Sequence, residues 1–186
     1  MELKPHDLMD GITPEPKRYL RPAPLDGVRV FPLHRLVDDR GLFIELYRTQ
    51  ATHPGSEALA DFFSGVPVAQ LNYSLITVPD HVKGLHYHLK QADIWFCPPP
   101  FKLKVVMLDL RRASPTAGQT QVVVLGEGRD AWVSIPPGVA HGYRTLTNPC
   151  GLFYLVTNCF DLNHPDEYRL PWDHPAVKDL WDVPRE

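Results

Sequence analysis

Short apolar segments follow one another along the chain from residue 28 onward, and polar or turn-forming residues separate them. The first three are "VRVFPL" (28–33), "GLFIELYR" (41–48) and "PVAQLNYSLITV" (67–78), each rich in branched or aromatic side chains. Such segments, bounded by Gly, Pro or Asp, are typical of β-strands. The same signal predicts further strands near residues 81–88, 94–96, 103–110, 120–125, 131–135, 142–146 and 151–160.

Helical signals are confined to two places. "SEALADFF" (56–63) offers Ser56 as an N-cap and Glu57 in the first turn, and the tail predicts one helical turn over 176–180. About ten short strands with so little helix predict an all-β architecture, either a jelly roll or a β-barrel. We expect the tail, which mixes Trp172 and Trp181 with prolines, to lie across the barrel.

Length and proline content set the domain organisation. A chain of 186 residues with 44% hydrophobic residues is predicted to form one domain with one buried core. Its twenty prolines recur between the apolar segments, as expected for strands joined by turns. Residues 1–26 are also rich in proline and predict an extended arm that packs late or against a partner chain.

Charge and cysteine content exclude several classes of protein. A net charge of −3 provides no broad basic surface for nucleic acid or for a membrane. No apolar run approaches a bilayer span and no secretory leader opens the chain, which predicts a cytoplasmic protein. Cys97, Cys150 and Cys159 are odd in number and match no C-x-x-C spacing, so we expect reduced thiols and no zinc-thiolate site.

The third strand carries a polar face. Side chains alternate along a strand, so Gln70, Asn72 and Ser74 share one face while the intervening apolar residues share the other. On an antiparallel sheet, the ordinary expectation is that the polar face meets solvent. The alternative is that it lines a wet pocket.

Three histidines are the candidate chemical groups. His86 and His88 are one residue apart, so both imidazoles point to the same face of a strand, and Gly84 before them permits a bend or a close backbone approach. His141 follows a tight turn at "PPG" (136–138) and could converge with them. Three interpretations remain open: buried histidines bonded to backbone, a metal site, or acid–base chemistry. For a metal site, the nearby fourth ligands are Gln91 and, one step too far, Asp93.

Six motifs occur in the order known from one enzyme family. They are "DRGLFIELY" (39–47), "QLNYS" (70–74), "KGLHYH" (83–88), "LDLRRASPTAGQ" (108–119), "IPPGVAHGY" (135–143) and "FYLVTN" (153–158). On these motifs the chain resembles the dTDP-4-dehydrorhamnose 3,5-epimerases and their relatives, small cupin enzymes of deoxysugar nucleotide synthesis. The resemblance implies a cupin jelly roll with short peripheral helices that forms a homodimer. It also implies a nucleoside-diphosphate sugar bound inside the barrel, with no metal or organic cofactor.

The resemblance also implies roles for individual residues. His86 matches the general base of the family and Tyr154 its general acid. A 4-keto group acidifies the protons on carbons 3 and 5 of the hexose, so an imidazole can remove one while a tyrosine across the ring returns a proton to the opposite face. The positions implied to bind substrate are Arg40 and Glu45 for the nucleotide, Gln70 and Asn72 lining the pocket, Lys83 and His88 beside the base, and His141.

This sequence departs from the family pattern at four points. Lys83 replaces an arginine, which removes the bidentate fork suited to phosphate, and His88 replaces a glutamine. The family's catalytic lysine is missing from "QADIWF" (91–96), and the aspartate that pairs with the base has only unranked candidates, which are Asp173, Asp179 and Asp182. We therefore expect an epimerase-like enzyme acting on carbon 3, carbon 5 or both. The alternatives are a metal-dependent cupin using His86, His88 and His141, and a nucleotide-sugar-binding cupin without catalysis.

Overall fold

Two five-stranded antiparallel sheets form the body of the structure, a computed structural model that describes residues 23–182. The first sheet has the order β1 (Arg29–Pro32), β9 (Ala131–Ile135), β6 (Asp93–Phe96), β11 (Cys150–Val156) and β4 (Gln70–Ile76). The second has the order β12 (Tyr168–Arg169), β5 (Val82–Tyr87), β10 (Val139–Thr145), β7 (Lys102–Asp109) and β8 (Thr120–Gly126). The all-β prediction is confirmed. Most of the predicted arm, residues 1–22, lies outside the described residues.

Three smaller elements surround the sheets. A hairpin of β2 (Arg35–Asp38) and β3 (Gly41–Ile44) stands apart from both sheets, α1 spans Glu57–Phe63, and a 3-10 helix spans Lys178–Leu180. The two predicted helical segments are therefore confirmed, whereas the strand predicted over 41–48 ends at Ile44. Arg35 ties the hairpin to the first sheet, since its guanidinium donates to both carboxylate oxygens of Asp130 at 2.7 and 3.0 Å.

Apolar side chains fill the space between the sheets and also cover both outer faces. The inner cluster includes Trp95, Val105, Met107 and Leu152, all nearly inaccessible to solvent. Helix α1 covers the outside of the first sheet with Leu59, Phe62 and Phe63. The tail covers the outside of the second sheet with Val177 and Trp181, which pack on residues of β5, β7 and β10. This confirms that the tail lies across the barrel.

The polar face of β4 does not meet solvent. Gln70, Asn72 and Ser74 line the cavity between the sheets, whereas Leu71 and Tyr73 on the other face are 60% and 51% exposed. The expectation of a solvent-facing polar side was therefore wrong, and the wet-pocket alternative holds. In residues 23–182 no helix is both long and apolar enough to cross a membrane.

Candidate active site

A cavity of about 590 Å³ opens between the two sheets. Ligand pockets commonly have a volume of about 300–1,000 Å³, so this one can hold a nucleotide sugar. The first sheet contributes β4, β6 and β11 to its wall, and the second contributes β5 and β10. The lining residues include Gln70, Asn72, Ser74, Lys83, His86, His88, Lys90, Gln91, Asp93, Trp95, Tyr154 and Asp166.

β5 and β10 are neighbouring antiparallel strands, and the close approach of their backbones brings His86 and His141 together. Gly84 has φ +137°, and a Cβ on it would lie 2.6 Å from the Cα of Gly142, which is closer than a side chain permits. A Cβ on Gly142 would meet the carbonyl oxygen of Lys83 at 2.7 Å. Because both positions are glycine, His86 and His141 can pair directly across the strands, with ring centroids 4.3 Å apart. The predicted close backbone approach at Gly84 is confirmed.

Backbone carbonyls orient the imidazoles of His88 and His141. The Nδ1 atom of His88 hydrogen bonds to the backbone oxygen of Asp166, and that of His141 to the backbone oxygen of Val139 at 2.9 Å. A carbonyl can only accept, so both Nδ1 atoms carry the proton and both Nε2 atoms face the interior of the cluster. Asp166 is itself fixed, because its carboxylate accepts bonds from the backbone N–H groups of residues 89–91.

Asp93 is the carboxylate of the site. Its oxygens accept hydrogen bonds from the Gln91 amide at 2.8 Å and the Trp95 indole at 3.1 Å, and they lie 3.5 Å from His88 Nε2 and 3.4 Å from His141 Nε2. Burial alone would raise the pKa of Asp93, but His141 and His88, in their protonated forms, and the Gln91 amide outweigh burial and hold the pKa well below its usual range. Asp93 is therefore a buried carboxylate at neutral pH.

The two predicted catalytic groups face the cavity from different sheets. His86 belongs to β5 of the second sheet and Tyr154 to β11 of the first. Burial, followed by the proximity of His141, lowers the pKa of His86 to about 2, so its imidazole is neutral over the ordinary pH range. Burial also raises the pKa of Tyr154, so its phenol keeps its proton. The pair thus has the protonation states that a base and an acid need before reaction.

Not every residue of the implied set lies on the cavity wall. Gln70, Asn72, Lys83 and His88 do, but His141 is only 1% exposed and is not one of the lining residues. Arg40 and Glu45 are also absent from the wall of their own chain. The Arg40 side chain is 90% exposed and pairs with Asp38, while Glu45 pairs with Arg48 at 2.7 Å. That these three residues contact the substrate stays a prediction.

Sequence reasoning missed three contributors. Asp93 lies one step beyond the expected ligand spacing, yet the loop after β5 returns the chain to the first sheet so that β6 begins at Asp93, close to the histidines. Asp166 has no signal in the local pattern, since it orients His88 across 78 positions of sequence. Lys90, which directly precedes the segment that lacks the family lysine, lies on the cavity wall. The tail aspartates Asp173, Asp179 and Asp182 are exposed and line no part of this cavity.

Comparisons with known proteins identify the family of this chain. A family model described as dTDP-4-dehydrorhamnose 3,5-epimerase matches residues 22–185. The chain is 39% identical over 160 residues to the spore coat polysaccharide biosynthesis protein SpsL of Bacillus subtilis (strain 168), covering 86% of this chain and 97% of that protein. It is 30% identical over 161 residues to a probable low-salt glycan biosynthesis epimerase of Haloferax volcanii, covering 86% and 96%.

The solved structure of NovW, a 4-keto-6-deoxy sugar epimerase from the novobiocin biosynthetic gene cluster of Streptomyces spheroides, has the same architecture. Its TM-score to this chain is 0.72 at 25% sequence identity, with 93% of this chain and 84% of that chain covered. The shared architecture is the cupin jelly roll, which confirms the predicted fold class. By its sequence and by its fold, the chain belongs to the dTDP-4-dehydrorhamnose 3,5-epimerase family.

Proposed function

We propose that this protein inverts carbon 3, carbon 5 or both of a nucleoside-diphosphate 4-keto-6-deoxysugar. The observation that carries the proposal is the placement of His86 and Tyr154 on two different sheets that line one cavity. Sheets that pack face to face lie about 10 Å apart, which leaves room for a sugar ring between the two groups. Inversion needs proton removal and proton return on opposite faces of the ring, and this arrangement supports that geometry.

In the proposed reaction, neutral His86 removes the proton beside the 4-keto group and the Tyr154 phenol returns one from the other side. The C–H electron pair moves into an enolate while the proton passes to the imidazole, and the enolate carbon then takes the phenolic proton. Lys83 and Lys90 on the wall provide positive charge for the diphosphate. Gln70, Asn72 and Ser74 provide the polar face for the remaining hydroxyl and base contacts.

Hydrogen exchange tests the two roles separately. The protein is incubated with dTDP-4-keto-6-deoxyglucose in deuterated water, and label at carbons 3 and 5 is followed by mass spectrometry while the product epimer is followed by NMR. We expect His86→Asn to reduce deuterium uptake by about 10²- to 10⁴-fold. Tyr154→Phe should instead keep uptake and lose inversion, because a base alone returns deuterium to the face it came from.

Matched controls replace the same residue types away from the cavity. His81→Asn and Tyr47→Phe remove an exposed imidazole and a partly exposed phenol outside the wall, and both should leave exchange unchanged. Uptake that survives His86→Asn at the wild-type rate would exclude His86 as the base. Binding of dTDP without any label uptake would favour the non-catalytic nucleotide-sugar-binding cupin.

We also propose that the protein forms a homodimer through the outer face of β4. Leu71, Tyr73 and Leu75 stand in a row on this face and are 60%, 51% and 46% exposed, and Tyr73 packs against Phe153 with ring centroids 4.7 Å apart. Apolar patches of this kind mark protein contact sites. Because Arg40 lies outside its own cavity, its implied contact with nucleotide requires the β2–β3 hairpin to reach the cavity of a second copy.

Sedimentation measures this association. The wild-type protein should sediment as a dimer and Leu71→Asp as a monomer, while Leu162→Asp, at an 80% exposed site elsewhere, should remain dimeric. A monomeric wild type would refute the homodimer and with it the role implied for Arg40. The cytoplasmic location stays a prediction from composition.

A further inference from the structure

A cluster of metal-binding side chains lies at the wall of the cavity. His86, His88, Asp93 and His141 each offer one ligand atom, and the four atoms lie within 4.8 Å of one another. His88 Nε2 and His141 Nε2 lie 3.5 and 3.4 Å from the two oxygens of Asp93. Ligands arranged tetrahedrally about zinc at their usual bond lengths are separated by about 3.4 Å, so each of the two imidazoles already has that spacing from one oxygen of the carboxylate.

Two imidazoles in this cluster present lone pairs to the carboxylate. His88 and His141 each use the Nδ1–H group to donate to a backbone carbonyl, of Asp166 and Val139 respectively. In its neutral form each ring carries only this one proton, and both Nε2 atoms are then acceptors that face another acceptor. Metal-binding histidines show the same feature, in which a carbonyl holds the remote N–H and thereby fixes the tautomer and the ring orientation.

One of these lone pairs has no hydrogen bond. His141 Nε2 has no hydrogen-bond partner in residues 23–182, and the residue is only 1% exposed, so water does not reach it. His88 Nε2 has a single long contact of 3.4 Å with the Gln91 amide, whose shorter bond of 2.8 Å goes to Asp93. Buried polar atoms are rarely left unpaired, and a cation between the two rings and the carboxylate would use all three.

We propose that His88, Asp93 and His141 bind one divalent transition-metal ion of the zinc, iron or nickel class. Imidazole and carboxylate ligands suit these ions, and three protein ligands leave coordination positions open. His88 and Asp93 line the cavity, which places the ion at the cavity wall, and Gln91 orients the carboxylate. In residues 23–182 His86 lacks the ring-nitrogen bond to a carbonyl that fixes the other two imidazoles, and it stays outside the ligand set.

Metal binding can be measured without any substrate, so this inference does not depend on the proposed epimerase activity. Untagged protein is stripped with chelator, dialysed and titrated with Zn²⁺ by calorimetry, and Co²⁺ is added to a second sample to record its ligand-field absorption. We expect one ion per chain, visible Co²⁺ bands, and a rise in melting temperature of about 5–10 °C at a hundredfold excess of Zn²⁺ over its Kd.

Variants locate the ion. Asp93→Asn keeps the shape of the side chain and should weaken Zn²⁺ binding by about 100-fold or more, as should His141→Ala. His86→Asn should change the affinity less than tenfold, and His81→Ala, at an exposed site outside the cluster, should not change it. Melting curves of each stripped variant establish that it folds.

Each other outcome overturns part of the assignment. If stripped wild-type protein folds yet takes up neither Zn²⁺ nor Co²⁺, the metal site is refuted. A protonated histidine paired with Asp93 would then account for the cluster. Unchanged affinity in Asp93→Asn would move the ion elsewhere. A loss in His86→Asn as large as in Asp93→Asn would make His86 a ligand, and would refute the three-ligand assignment.

Discussion

Replacing Gly142 with alanine tests whether the close backbone approach of β5 and β10 positions the histidines of the site. The added Cβ would lie 2.7 Å from the carbonyl oxygen of Lys83 and 2.9 Å from the Cα of Gly84. Ordinary contact begins at 3.4 Å, so the two strands must separate by about 0.7 Å (3.4 − 2.7). Both obstructing atoms belong to the backbone, so no side chain can rotate away to relieve the contact.

The structure sets the size of the effect. Overpacking of this kind costs about 1–3 kcal/mol, and a domain of this length loses about 2–4 °C of melting temperature per kcal/mol. We therefore expect Gly142→Ala to melt about 2–12 °C below the wild type. The separation would also move His86 away from His141, whose rings are 4.3 Å apart. A displacement near 1 Å at a reacting group can cost about 100-fold in rate, so deuterium uptake should fall to a similar extent.

Thermal unfolding followed by circular dichroism measures the first effect, and the exchange assay measures the second. Gly128→Ala is the control, because nothing lies within 4 Å of its added Cβ and only its φ of +81° is strained. That control should lose about 1 kcal/mol and keep the full exchange rate. If Gly142→Ala has the melting temperature and exchange rate of the wild type, the close backbone approach of β5 and β10 does not position the histidines.

Two further predictions concern parts of the fold that hold the site from outside. Asp109 accepts bonds from Arg111, Ser114 and Thr116; burial alone would raise its pKa, but these bonds hold the pKa well below its usual range. Because the folded pKa is depressed, this carboxylate stabilises the fold above the unfolded value near ~4 and loses that contribution as pH falls towards the folded value. Asp109→Asn should therefore lower the free energy of unfolding by about 2 kcal/mol at pH 7 in urea titrations. As pH falls below ~4, the free energy of unfolding should decline less steeply in this variant than in the wild type. An equally steep decline in both proteins would contradict this role of Asp109. Trp181→Ala should cost about 3–5 kcal/mol in the same titrations, because its ring is 2% exposed and holds the tail on the second sheet. Trp172→Ala, at a 54% exposed site, should cost less than about 1 kcal/mol, and equal losses would contradict the docking of the tail.

The strands were predictable from local pattern because each buries one alternating set of side chains. The predicted segments over 120–125 and 131–135 correspond closely to β8 and β9, and the helix at 56–63 begins one residue later than Ser56. Ser56 does not form a side-chain cap in the usual way, since its hydroxyl bonds to the preceding turn at Thr52 and His53. The ends of the strands were less predictable. The segment predicted to continue β3 through Arg48 is not part of the strand, which ends at Ile44.

Strand alternation could group residues of the candidate site only where they share one strand, whereas Tyr154 on another strand was expected from the order of the motifs. The alternation of a strand places His86 and His88 on one side, and a glycine before them signals a close approach. Counting residues could not place Asp93, because its distance from the histidines depends on a loop that crosses from one sheet to the other. Counting also could not show that Arg40 lies outside the cavity of its own chain.

The sequence by itself determined the strand-rich fold, the pairing of two imidazoles on one face and the family, since periodicity and motif order are local properties of the chain. The tertiary structure decided which face of β4 is wet, which carboxylate meets the histidines and which nitrogen of each ring points inward. These depend on how two sheets and their connecting loops approach one another in space. Such contacts join residues up to 78 positions apart, and local propensity carries no information about them.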